Sequence, residues 1–178
     1  MGNNVCPWWM GYLLMNPLRK LIQNPDGILN KYLTQKMKVM DIGCGMGFFS
    51  LPAARLVGEQ GKVVCVDLQE KMIKALMRRA ERNGLRNRIE TRICKYNSLM
   101  IKDLVNEMDF VLAFAVVHEV RDKDRLFKEI ELALKSGGFL LIAEPKGHVN
   151  EKDFACSVAL AEEAGFSVFE RPIIGRSN

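Results

Sequence analysis

Short apolar runs rich in β-branched residues recur along the chain, and between them lie longer stretches in which apolar positions return every three or four residues. The short runs predict strands at 37–42 (MKVMDI), 62–67 (KVVCVD), 89–93 (IETRI), 108–114 (MDFVLAF), 138–144 (GFLLIAE) and 166–171 (FSVFER). The longer stretches predict helices at 48–58, 69–83, 99–106, 122–135 and 150–164. Pro52 stands just past the first turn of the helix opening at Phe48, so that helix starts late or bends there. Ahead of the first strand, Cys6 to Leu33 reads as two short helices broken around Pro17 and Asn24-Pro25-Asp26-Gly27.

Strands that are apolar along their whole length, alternating with helices, imply an α/β fold: a doubly wound, mostly parallel sheet with helices on both faces. Right-handed crossovers in such a fold place ligands beyond the carboxyl ends of the strands. The 178 residues suffice for one domain, here 31–178, preceded by an N-terminal helical segment at 1–30.

Composition narrows the classes. Apolar residues make up 48% and charged residues 26%, which is globular rather than disordered. No apolar run reaches the roughly 18 residues of a membrane span, and Met1 to Met15 lacks the basic start and small-residue cleavage site of a signal peptide. A cytoplasmic protein with no membrane association is expected. The five cysteines contain no C-x-x-C pair, so reduced and mostly buried thiols are expected rather than a disulfide framework or zinc knuckle.

The net charge of +5 gathers mainly on Lys71, Lys74, Arg78, Arg79, Arg82, Arg86 and Arg88. Ile73, Leu76, Met77 and Ala80 fall at helical spacing within the same segment, and Gly84 is placed to stop it. A solvated helix face explains the basic run. Without interleaved aromatics, nucleic acid is not an expected partner.

The junction of the first strand and first helix reads Asp41-Ile42-Gly43-Cys44-Gly45-Met46-Gly47-Phe48. Glycines there let backbone turn sharply and approach a ligand. The dinucleotide fingerprint needs G-x-G-x-x-G, and this chain has Phe48 where the third glycine would stand. Asp41 would repel a pyrophosphate but suits a cationic ligand, and Asp67, ending the second strand, is placed to accept from both hydroxyls of a ribose. A nucleoside that is positively charged and carries no phosphate fits both.

With D-x-G-x-G-x-G followed by an acid at the end of the second strand, the sequence resembles the class I S-adenosylmethionine-dependent methyltransferases. The resemblance runs from about 30 to 174 and includes Asp109-Phe110-Val111 and Leu134-Lys135-Ser136-Gly137-Gly138. It implies a Rossmann-like methyltransferase fold and S-adenosyl-L-methionine as cofactor. Asp41 and the backbone of Gly43, Gly45 and Gly47 would hold the cofactor's amino acid part, Asp67 its ribose and Leu68 one adenine face. Phe114 and Ala115 would contact it by main chain.

Two departures stand out. Where the family often places an acid for the adenine amino group, this chain has Lys95 in Cys94-Lys95-Tyr96-Asn97-Ser98, with Tyr96 or Asn97 as substitutes. The sequence given also stops just after the sixth expected strand, so the family's last antiparallel strand is expected to be missing.

The histidines define the candidate chemistry. His118 follows the fourth strand, beside Glu119, and His148 follows the fifth in Glu144-Pro145-Lys146-Gly147-His148. His118 has the pKa range of a general base near neutrality; the alternative is that it only packs or hydrogen-bonds in its turn, with Glu119 pointing outward. Glu144 and His148 complete a candidate catalytic set. Convergence of all four would also offer divalent-metal ligands, but the spacing is not that of H-E-x-x-H, and no metal is assigned. Trp8 and Trp9, with Cys6 beside them, read equally as an acceptor lid or as a helix packed on the domain.

The expected function is a methyltransferase acting on a small-molecule acceptor. Two alternatives stand beside it: a non-catalytic cofactor-binding or metal-handling regulator, and an NAD-dependent oxidoreductase.

Overall fold

The computed structural model describes residues 23–175 and 177, so Cys6, Trp8, Trp9 and the first of the two helices expected ahead of the sheet lie outside the described residues. Five strands form one parallel sheet: β1 (Lys38–Ile42), β2 (Lys62–Asp67), β3 (Ile89–Ile93), β4 (Met108–Phe114) and β5 (Leu134–Ala143), in the order β3-β2-β1-β4-β5. Among the described residues the α-helices are α1 (Pro25–Leu29), α2 (Ser50–Leu56), α3 (Glu70–Arg82), α4 (Lys123–Ala133) and α5 (Glu151–Glu163).

The alternating direction of strand side chains explains why the central strands β1, β2 and β4 are apolar over most of their length. Val39, Val63, Cys65, Phe110 and Leu112 pack on one face with Leu29 of α1, Leu51 of α2 and Leu76 of α3. Their neighbours Met40, Val64, Val66, Val111 and Ala113 pack on the other with Leu126, Phe127 and Ile130 of α4 and Ala161 of α5. Both faces are therefore core.

Local chemistry sets the helix ends. Side chains of Asn24, Asp122 and Asn150 cap α1, α4 and α5 by accepting from the N–H of Gly27, Arg125 and Asp153. Past α3, Gly84 takes a left-handed φ of 67° while Leu85 N–H returns to the Ala80 carbonyl. The helix expected at 48–58 begins at Ser50, with Pro52 accommodated in its first turn.

Three expectations need correction. The segment 99–106 is not a helix: Met100 and Asn106 adopt left-handed backbone, and Leu99 and Ile101 are drawn into the core beneath α4. No strand forms at 166–171. Strand propensity reflects fit to a half-buried pleated surface, and Phe169 is 80% exposed, its ring centroid 5.7 Å from that of Phe139 in β5. β5 starts at Leu134 rather than 138, because Leu134 pairs with Met108 directly after α4 ends.

The strand order reverses at β1, whose neighbours are β2 and β4, so a crevice opens beyond their carboxyl ends. Register aligns Ile42 with Val66 on one side and Ala113 on the other, and Phe114 with Ala143. The next residues along each strand therefore emerge at one level.

Candidate functional site

A cavity of about 200 Å³ occupies that crevice. Asp41, Gly43, Gly45, Asp67, Leu68, Phe114 and Ala115 all line it, and Cys94 to Leu99, Glu119, Arg125 and Glu129 close its far side. The glycine loop is shaped by its contacts: Gly43, Gly45 and Gly47 all have positive φ. A Cβ on Gly45 would meet no protein atom within 4 Å, which is a cradle open to a ligand. Gly47 does not line the cavity. A Cβ there would stand 2.2 Å from Leu76 Cδ1, so it serves the packing of the loop on α3.

Asp67 fastens the loop as well as facing the cavity. Its Oδ2 accepts from Gly45 N–H at 2.9 Å and its Oδ1 from Gln69 N–H at 2.8 Å. Leu68 N–H also acts on this carboxylate, whose four lone-pair sites still leave capacity for a ligand. Burial raises the Asp67 carboxyl above its ordinary range despite those donors. Asp41 is fully buried beneath the loop, where Ser50 Oγ–H donates to it at 2.5 Å. Burial pushes it up to about 7, against the Ser50 hydrogen bond that lowers it. A carboxylate so deprived of water is poised for a cation.

Arg79 departs from the solvated row expected of α3, because it is half-buried and its guanidinium donates to the Met46 carbonyl in the glycine loop. The sequence shows only its place among basic residues. Cys44 and Cys65 are buried as expected. Cys94 lines the cavity, and burial pushes its thiol up to about 11, leaving it protonated and unreactive at neutral pH.

Beyond Phe114 the chain turns through Ala115, a non-glycine residue at φ 56° whose N–H donates to Ala143 at 2.7 Å. Such backbone is strained by about 1–2 kcal/mol, and it carries the chain over β5. His118 Nδ1 then lies 2.6 Å from Glu144 Oε2, while His118 backbone N–H donates to Glu144 Oε1 at 3.2 Å. Glu144 is 1% exposed, the side chain of His118 24%. With Nδ1–H directed at the carboxylate, the neutral ring carries its lone pair on Nε2. The Glu144 hydrogen bond raises the His118 pKa above 6.5, outweighing burial.

The four residues do not share one pocket. Glu119 lines the cavity rather than pointing outward, whereas His118, Glu144 and His148 are absent from its lining. The His148 ring stands edge-on to that of His118 with centroids 6.0 Å apart. Among the described residues no group of three or more His, Cys, Asp or Glu is arranged to hold a metal ion. No helix among them is long and apolar enough to cross a membrane.

Residues 33–167 match the family model described as a methyltransferase domain. The chain belongs to that methyltransferase family. Among curated relatives, the ubiquinone/menaquinone biosynthesis C-methyltransferase of Shewanella frigidimarina is 30% identical over 108 residues, 61% of this chain and 42% of that protein. The chain thus spans about two fifths of the length of the curated relatives it matches. Among solved structures, an S-adenosylmethionine-dependent methyltransferase from Aquifex aeolicus superposes with a TM-score of 0.85 at 23% identity, covering 97% of this chain and 95% of that one. An arsenic(III) S-adenosylmethionine methyltransferase from Chlamydomonas reinhardtii gives 0.62 at 21% identity, covering 74% and 52%.

The methyltransferase fold accounts for the cavity's place at the switch between β1 and β4, and the cofactor of this family is S-adenosylmethionine. The open cradle at Gly45, the buried carboxylate at Asp41 and the free lone pairs of Asp67 fit such a molecule.

Proposed function

We propose that the chain transfers a methyl group from S-adenosylmethionine to a small-molecule acceptor, with His118 as the general base. The cofactor, when bound, supplies a methyl group already activated on a sulfonium. Asp41 offers negative charge to its amino acid part, the main chain of Gly43 and Gly45 lies along it, and Gly47 keeps the loop in place. Asp67 accepts from the ribose hydroxyls, Leu68 covers one adenine face, and the main chain of Phe114 and Ala115 borders the sulfonium end. The lid, in this reading, is the part of 1–30 ahead of α1, since Leu29 already belongs to the core of the domain, and the setting is cytoplasmic.

The observation that carries the acceptor chemistry is the Glu144–His118 hydrogen bond, reached within one turn of the cavity-lining Ala115. Glu144 fixes the ring and stabilises the imidazolium that forms when Nε2 takes a proton from the acceptor. His148, beside that ring, orients the acceptor. Where the acceptor has no proton to lose, alignment alone remains for the protein to supply.

The test is incubation of methyl-labelled S-adenosylmethionine with a cell extract and the protein. Label is expected in the small-molecule fraction, and His118→Ala should slow its appearance about 10²-fold or more while S-adenosylhomocysteine binds as before. Label confined to protein or nucleic acid would overturn the acceptor class. Equal rates in the variant would overturn the base.

A further inference from the structure

Beyond Asp67 the cavity continues toward α4, and the route is marked by hydrogen bonds. Cys94 N–H donates to the Asp67 carbonyl at 3.0 Å, the chain loops through Lys95 to Ser98, and Leu99 N–H donates to Glu129 Oε2 at 2.6 Å. A base attached to a ribose held at Asp67 would enter this end. Adenine presents its exocyclic amino group there, a donor that requires an acceptor. Lys95 and Arg125 are cations and cannot accept. Asp122, Tyr96 and Asn97 could accept but are exposed to water, and Asp122 is also engaged in capping α4 through Arg125 N–H.

Resting on the cofactor assignment made above, we infer that Glu129 is the residue that reads the adenine amino group, replacing from α4 the acid missing after β3. Its carboxylate lines the cavity and its side chain is only 14% exposed. It is held from two sides, by Leu99 N–H on one oxygen and by Arg125 Nε at 3.1 Å on the other, so its orientation is set before any ligand arrives. Each oxygen retains a lone pair, enough to accept from an amino group without releasing either partner. Asp67, Cys94 and Glu129 all line this one cavity.

The chemistry predicts discrimination. S-inosylhomocysteine carries a carbonyl where S-adenosylhomocysteine carries the amino group, and a carbonyl oxygen facing a carboxylate is repelled. A site built to bond a polar group rejects an analogue lacking it far more strongly than an apolar pocket does.

The experiment is calorimetric titration of both ligands into wild-type protein and Glu129→Gln, with thermal unfolding measured alongside. Glutamine retains an acceptor for Leu99 N–H, so the loop stays anchored, but turns an N–H₂ toward the base. Wild-type protein should prefer the adenosine ligand at least about tenfold, and Glu129→Gln should lose that preference while folding normally. A preference unchanged in the variant, or both ligands weakened equally, overturns the role of Glu129. Failure of wild-type protein to bind S-adenosylhomocysteine at all overturns instead the cofactor assignment beneath it.

Discussion

Across β1 and β2 the candidate site is built largely of backbone, whereas across β4 and β5 it is built of side chains. On the first side the loop from Gly43 to Gly47 has its shape set by positive φ angles, an Asp67 carboxylate gripping Gly45 N–H and a fit against Leu76. On the second side the main geometric fact is a 2.6 Å contact between a histidine that follows β4 and a buried glutamate that follows β5. On the proposed function, the difference separates binding from chemistry. A backbone cradle can recur unchanged over many acceptors, while a side-chain pair is specific to the proton it handles.

The strongest way to break this comparison is at Asp41. Its folded-state value of about 7 lies above the ordinary 3.8, so the ligand-free fold loses stability as pH rises from about 4 to about 7 and carries the full cost of ionisation beyond that. Asp41→Asn should therefore stabilise the ligand-free protein at pH 8 by about 2–4 kcal/mol in thermal or urea unfolding, yet weaken cofactor binding. In wild-type protein, affinity for the cationic cofactor should climb through about pH 7 as Asp41 ionises. A destabilised Asp41→Asn protein with full affinity would contradict the assignment.

Glycine substitutions sharpen the same side. Gly47→Ala combines left-handed backbone with a clash on Leu76 and should lose about 2–3 kcal/mol of stability. Gly45→Ala meets open space and should lose about 1 kcal/mol, while reducing cofactor affinity disproportionately by filling the cradle. Parallel unfolding and titration curves would separate the two, and equal losses of affinity per kcal/mol of stability would erase the distinction.

A smaller effect is expected across β4 and β5. The His118 pKa is raised by Glu144, so its neutral, basic form is reached only above 6.5, and transfer should rise with pH through that raised value. Glu144→Gln removes the charge and should move the rise to lower pH with little change in cofactor affinity. An unmoved profile would show that His118 does not set it.

The backbone side was the legible one. Asp41, the glycines and Asp67 announce themselves because a tight turn and a buried acid admit few residue types, and β1, β2 and β4 follow from runs that must be apolar on both faces. The side-chain pair could be read only as residue types, since the contact of His118 with Glu144 depends on the register of Phe114 with Ala143 and on the left-handed turn at Ala115. Glu129 and Arg125 look like an ordinary surface pair four apart on a helix, and their place at the cavity follows from the loop after β3 folding onto α4. The segment 99–106 misled because its apolar spacing serves anchoring in the core rather than a helix face. The segment 166–171 misled because strand-prone residues form a strand only beside a partner.

The most direct test of the central claim is calorimetric binding of S-adenosylhomocysteine to wild-type protein and to Asp67→Ala. One-to-one saturable binding that weakens about a hundredfold in the variant is predicted, because Asp67 holds Gly45 in place and, in the proposed site, would also accept from the ligand. Absence of binding to wild-type protein, or equal affinity in the two, would contradict a cofactor site at the ends of β1 and β2.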